Sequence, residues 1–239
     1  MTMLRFSNPV FVALDTPDLP RALALAKAVR PYVGGLKVGL EFITALGPAA
    51  VSAIVDLGLP VFADVKFHDI PNTVAGAARE IAKLGVALFN VHASGGEAML
   101  KAAREAGASV NPNVKVIAVT VLTSMGDDDL SAIGLGDSVA LQVARLSRLA
   151  KDCDLDGVVC SPREIEVVRR ACGPNFLIAT PGVRPAGAQL GDQRRVTTPS
   201  EAVRAGADIL VIGRPITAAD DPAQAAAAIA EEVAPARAA

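Results

Sequence analysis

Eight short apolar runs recur along this chain of 239 residues, with longer Ala-rich or polar segments between them. They are PVFVALD (9–15), GGLKVG (34–39), PVFADVK (60–66), ALFNVHA (87–93), VKVIAVTVL (114–122), GVVCS (157–161), FLIATPG (176–182) and DILVIGR (208–214). Strands covered on both faces should be near-continuously apolar, as these runs are. The intervening segments 19–30, 73–85 and 97–107 carry helical periodicity, and Gly85, Gly107 and Gly206 fit helix C-terminal stops. Strands alternating with helices predict βαβ units and a parallel sheet. Eight such units in 239 residues predict a single-domain α/β fold over 1–239, a (β/α)8 barrel. An open, doubly wound sheet is the alternative, but no G-x-G-x-x-G follows the first run to support it. The longest irregular stretch, 181–198, is long enough to predict a functional lid loop. Residues 221–233 predict a closing helix, and 234–239 a frayed tail.

The hydrophobic content of 51% is ample for the core of such a barrel. A net charge of −2 and a pI near 5.7, with no basic patch, argue against a general nucleic-acid binder. No apolar run approaches the roughly 18 residues a membrane span needs. The start, MTMLRFSNPV, lacks the apolar centre of a signal peptide. The expectation is a soluble, cytoplasmic protein. Cys153, Cys160 and Cys172 match no zinc or redox spacing, and with two histidines in the chain no metal site is expected.

In a barrel the C-terminal strand ends line the active site. The run ends here carry Asp15, Lys37, Asp64 with Lys66, His92, Thr123 with Ser124, Ser161, Arg184, and Gly213 with Arg214. Charged groups from five runs are thus predicted to converge on one mouth. The stretch ADVKFHDIPNT (63–73) is the densest. Asp64 and Lys66 are two apart and face the same way on a strand. Asp69 lies past the strand end, before a helix predicted to start near Pro71. A plain ion pair closing the barrel is one reading, although buried charges demand strong pairing. A lysine between carboxylates keeps its proton. As a fixed cation it stabilises negative charge on a substrate atom. Lys66 is therefore suited to stabilise a carbanion and protonate it, rather than to attack a carbonyl.

The loops after strands seven and eight frequently hold phosphate in barrels. Arg184, Gly213 and Arg214 occupy those positions, Gln193 offers an amide donor, and a helix after Gly213 would favour an anion. Arg194 and Arg195 fit solvated surface charges. For His92 a structural and a catalytic role both stay open, and His68 fits a supporting one.

The motif DVKFHDIPNTV (64–74) closely resembles the signature of the orotidine 5′-phosphate decarboxylase family. VALD (12–15), LKVG (36–39), NVHASGG (90–96), VTVLTS (119–124), TPGVRP (180–185), GDQRRVTTP (191–199) and VIGRPI (211–216) extend the resemblance in order through nearly the whole chain. The resemblance implies loss of CO2 from orotidine 5′-monophosphate to give UMP, with neither metal nor organic cofactor. It implies Lys66 as proton donor to C6, Asp64 beside the departing carboxylate, and Asp15 and Lys37 on the ribose hydroxyls. Asp69 and Thr73 would reach the partner subunit's site in a homodimer. Thr123 and Ser124 would lie near the base. Arg184, Gln193, Gly213 and Arg214 would hold the 5′-phosphate, beneath a closing 181–195 loop, with Pro181 a further substrate-binding residue. Two alternatives stay open: a Mg2+-dependent sugar-phosphate lyase or decarboxylase sharing D-x-K-x-x-D, and a catalytically silent phosphate-binding barrel.

Overall fold

Each of the eight apolar runs holds a β-strand in the computed structural model, which describes residues 6–185 and 197–238. The strands are β1 Val10–Ala13, β2 Gly35–Val38, β3 Val61–Phe67, β4 Leu88–His92, β5 Lys115–Val119, β6 Gly157–Val159, β7 Leu177–Pro181 and β8 Ile209–Ile212. They pair in parallel in sequence order and close on themselves, with Phe11 of β1 opposite Val211 of β8. This is a closed (β/α)8, or TIM, barrel.

The helices are α1 Leu19–Val29, α2 Leu40–Val55, α3 Pro71–Lys83, α4 Glu97–Val110, α5 Asp127–Ala132, α6 Val139–Asp152, α7 Ile165–Cys172, α8 Pro199–Ala205, α9 Arg214–Thr217 and α10 Pro222–Ala238. Their starts follow local chemistry. Asp18 accepts the Arg21 amide proton at the head of α1, and Thr198 and Glu201 form a reciprocal capping box on α8. Pro71 opens α3, where its missing N–H is no loss.

Two expectations are corrected. Gly85 and Gly206 follow helix ends, but Gly107 lies inside α4. A Cβ there would stand 3.2 Å from the Phe89 ring, so this glycine lets the helix approach the barrel. The tail predicted to fray continues α10 to Ala238, through Pro235.

Strand alternation sorts the core into two clusters. Phe11, Phe62, Leu88, Ile117, Ala179 and Ile209 fill the barrel interior. Their outward neighbours, such as Val10, Val12, Val61 and Ala63, pack with helix residues including Ala22, Ala78 and Leu100. On β3 the next inward position above Phe62 is Asp64, and on β4 the next above Leu88 is Asn90. Polar chemistry thus begins one layer above the apolar plug, at the C-terminal mouth.

Candidate active site

Four of the expected residues form one continuous chain of charges. Lys66 Nζ donates to Asp64 Oδ1 at 2.6 Å. Lys37 Nζ lies 3.5 Å from the other oxygen of Asp64 and donates to Asp15 Oδ1 and Oδ2 at 2.9 and 3.1 Å. Lys37 is buried, Asp64 and Lys66 are half-buried, and Asp15 opens to solvent. Among the described residues, this chain of charges draws on the ends of three strands, β1, β2 and β3.

Burial pushes the Asp64 carboxyl upward. The charges of Lys37 and Lys66, with hydrogen bonds from Lys66 and Asn90, more than reverse this and hold it below its ordinary value of 3.8. Asp64 is therefore an anion at neutral pH. Burial, then the neighbouring His68 and Lys66, hold His92 below its ordinary 6.5, so that imidazole is neutral there. The rings of His68 and His92 lie 5.4 Å apart, which places His68 as packing support for His92.

The meeting of Asp64 and Lys66 is not simple strand alternation. Lys66 has φ of 50°, in the left-handed region, and the register with β4 shifts at this point. For a residue with a Cβ this conformation costs about 1–2 kcal/mol. Such strain persists where surrounding structure over-determines it, commonly at functional sites. Asn90, fully buried, supplies part of that determination: it accepts the Lys66 backbone N–H at 2.7 Å and donates to Asp64 Oδ1 at 2.7 Å.

Gly39 shapes the other end of the chain of charges. A Cβ there would meet Lys37 Nζ at 2.7 Å and Asp15 Oδ1 at 2.8 Å. Neither Asn90 nor Gly39 was among the residues predicted from sequence to form the site. A lone amide two positions before His92 in an apolar run, and a glycine two after Lys37, were the available signals.

The remaining expected residues are more dispersed. Asp69 is exposed and accepts the Ile70 N–H at 2.7 Å; among the described residues it makes no ion pair. It lies beyond the strand, in the turn leading to α3, and Thr73 is exposed on the first turn of that helix. Thr123, Ser124 and Pro181 line a cleft of about 740 Å3 with Ser161 and Glu164. This cleft occupies the β5–β7 side of the mouth, and the chain of charges the β1–β3 side. Burial raises the carboxyl of Glu164 above its ordinary value. Arg184 is buried and its backbone N–H bonds Thr197 O at 3.1 Å. Gly213 follows β8, and exposed Arg214 begins the four-residue α9. Gln193, Arg194 and Arg195 lie outside the described residues. Cys153, Cys160 and Cys172 are buried and free. Among the described residues no three His, Cys, Asp or Glu side chains are grouped to hold a metal ion, and no helix is long and apolar enough to cross a membrane.

Fold and site together define a class: a TIM-barrel enzyme whose strand-end machinery is a fixed array of paired charges. Within that class the chain belongs to the orotidine 5′-phosphate decarboxylase / HUMPS family, whose pattern matches residues 8–229. It is 57% identical to an orotidine 5′-phosphate decarboxylase of Moorella thermoacetica, over 98% of this chain and 95% of that protein. It is 55% identical to the one from Rhodospirillum rubrum, covering 95% and 94%. Among solved structures, orotidine 5′-phosphate decarboxylase from Lactobacillus acidophilus superposes with a TM-score of 0.85 at 37% identity, covering 95% of this chain and all of that one.

Proposed function

We propose that this chain decarboxylates orotidine 5′-monophosphate to UMP in pyrimidine biosynthesis, without metal or organic cofactor. The observation that carries the reading is the Lys66 ammonium, held 2.6 Å from Asp64 in a line of charges running to Asp15; family membership specifies the substrate. The bond from C6 to its carboxylate breaks, CO2 leaves, and the electron pair stays on C6. The Lys66 ammonium stabilises that carbanion and then gives it a proton; water restores the proton to Lys66. A cation already in place needs no reorganisation as charge develops. Asp64 orients Lys66 and lies beside the departing carboxylate. Lys37 and Asp15 take the ribose hydroxyls, and Thr123 and Ser124 the base. Arg184, Gln193, Gly213 and Arg214 hold the phosphate, whose remote binding energy drives assembly of the site, and Pro181 lines the substrate cleft.

In this reading the 239 residues form one barrel domain that works in the cytoplasm as a homodimer, with Asp69 and Thr73 contributed across the interface. The exposure of Asp69, Thr73 and the intervening Ile70, 68% accessible, supports that placement.

The test is a spectrophotometric assay with orotidine 5′-monophosphate in the presence of EDTA. Turnover unaffected by chelator is expected. Loss of turnover on chelation, restored by Mg2+, would overturn the cofactor-free mechanism. UMP binding without any turnover would leave a phosphate-binding barrel without this chemistry.

A further inference from the structure

The pairs Ala63–Phe89 and Phe67–Val91 bracket the irregular part of the β3–β4 ladder. Between them lie Asp64, Val65 and Lys66 on β3, and Asn90 alone on β4. Three residues of β3 thus stand against one of β4, and the regular ladder is interrupted there. The Asn90 side chain fills part of the gap. Its Oδ1 accepts from Lys66 N at 2.7 Å, and its Nδ2 donates at 2.7 Å to Asp64 Oδ1. That same oxygen receives Lys66 Nζ at 2.6 Å. One amide therefore holds Lys66 at both ends: the backbone directly, the ammonium through a shared carboxylate oxygen. Asn90 has no solvent exposure, so it sits beneath the mouth.

We infer that Asn90 is a positioning residue, which clamps Lys66 in its left-handed conformation and turns the Asp64 carboxylate toward the Lys66 ammonium. The inference rests on the decarboxylase reading for its kinetic consequences. Both bonds are needed, and an amide supplies them because it carries an acceptor and a donor. A leucine of similar size supplies neither. An ionised carboxylate supplies the acceptor and sets a second anion against Asp64; when protonated it supplies both.

The experiment compares wild type, Asn90→Leu and Asn90→Asp with orotidine 5′-monophosphate across pH. Asn90→Leu is expected to lower kcat about 100-fold, the scale of a misplacement near 1 Å, with KM within about threefold. Asn90→Asp is expected to approach wild-type kcat at the acidic end and to lose activity, relative to wild type, as pH rises and the new carboxyl ionises. The charged and titratable groups around it are Lys37 on β2, Asp64 and Lys66 on β3, His92 on β4 and His68 beyond β3, all common to both proteins, so the ratio of profiles isolates the new group. A role in packing alone would give a pH-independent ratio. An Asn90→Leu kcat within threefold of wild type, or an Asn90→Asp profile parallel to wild type, would overturn the proposal. Should Asn90→Leu fail to fold, the isosteric Asn90→Asp decides by its profile. If wild type itself does not turn over this substrate, the functional reading fails separately, and the clamp is read from hydrogen exchange of the Lys66 amide. At least tenfold faster exchange in Asn90→Leu, or in Asn90→Ala should the leucine variant not fold, supports it, since neither side chain can accept the Lys66 N–H; unchanged exchange refutes it.

Discussion

The two ends of this barrel both carry aspartates paired with cations, and they put them to different uses. At the N-terminal end, Asp156 and Asp208 immediately precede β6 and β8. Asp156 accepts from Lys115 Nζ and from the backbone N–H of Val116, both at 2.8 Å. Asp208 pairs with Arg169 and accepts the backbone N–H of Ile178 at 2.9 Å. Arg169 also donates to the carbonyls of Gly206, Gly173 and Phe176. These charges tie strand starts to helix ends. At the C-terminal end, Asp64 accepts from Lys66, Lys37 and the Asn90 side chain, and none of these three donors is a backbone amide. Its partners are the groups that face the mouth. An ion pair in a barrel is therefore informative only with its end of the strand and its other bonds stated, in line with the general division of barrel faces into a catalytic top and a stabilising bottom.

The largest effect expected from this contrast is on Lys66. Removing a general acid typically costs 10²–10⁴-fold, and removing a preorganised charge about 10²–10³-fold. Lys66→Ala loses both, so kcat/KM should fall by at least about 10⁴-fold. Asp64 keeps Lys37 and Asn90, so chemical denaturation should show stability within ~1 kcal/mol of wild type, and UMP should still bind. Near-native turnover would refute the role of Lys66 and erase the distinction between the two ends.

The second prediction makes the complementary cut. Asp208→Ala leaves the half-buried Arg169 without its carboxylate and the Ile178 N–H without its acceptor. Breaking such a pair on one side costs roughly 3 kcal/mol or more. The urea midpoint should drop accordingly, while kcat per folded molecule stays within about twofold. A selective loss of kcat at unchanged stability would mean the lower end is coupled to the chemistry.

Much of this contrast was legible in the order of residues. Asp64 and Lys66 close an apolar run, whereas Asp208 opens one, and in a parallel barrel that order decides which face a charge occupies. The eight strands were legible because burial on both faces leaves each run apolar. The bulge at Lys66 was not, since DVKF has no glycine to announce a left-handed residue and a side chain from another strand helps to hold it. Asn90 was hidden for the same reason: an amide in an apolar run declares its partners only when β3 and β4 are side by side. Asp69 shows the opposite limit. Its place past the strand is legible, but among the described residues the carboxylate paired with Lys66 is Asp64. Gly107 reads as a helix stop because close approach to Phe89 and termination use the same residue.

A smaller effect tests how tightly the upper charges are packed. In Gly39→Ala the new methyl would fall 2.7 Å from Lys37 Nζ and 2.8 Å from Asp15 Oδ1. Gly39 has φ of −104°, which any residue adopts, so the backbone itself does not object. The lysine end must move, at an overpacking cost of about 1–2 kcal/mol. Activity should fall on the order of tenfold. An enzyme with unchanged kcat/KM would show that the Lys37–Asp15 geometry has slack the structure does not suggest.

The smallest expected effect separates the strain at Lys66 from its chemistry. Lys66→Ala and Lys66→Gly both remove the ammonium, so both should be inactive to the same degree. They differ in the backbone. Alanine keeps a Cβ at φ of 50° and retains a left-handed penalty of about 1–2 kcal/mol. Glycine escapes that penalty but gains freedom in the unfolded chain, which offsets about 0.5–1 kcal/mol. Lys66→Gly should therefore be the more stable of the two by about 0.5–1 kcal/mol, read from urea midpoints at equal m-values. The lower end supplies the reference: Asp208→Ala and Asp208→Gly carry no left-handed term, so there glycine should be the less stable. If alanine is the more stable residue at both positions, the left-handed conformation at Lys66 carries no strain, and Asn90 holds it against nothing.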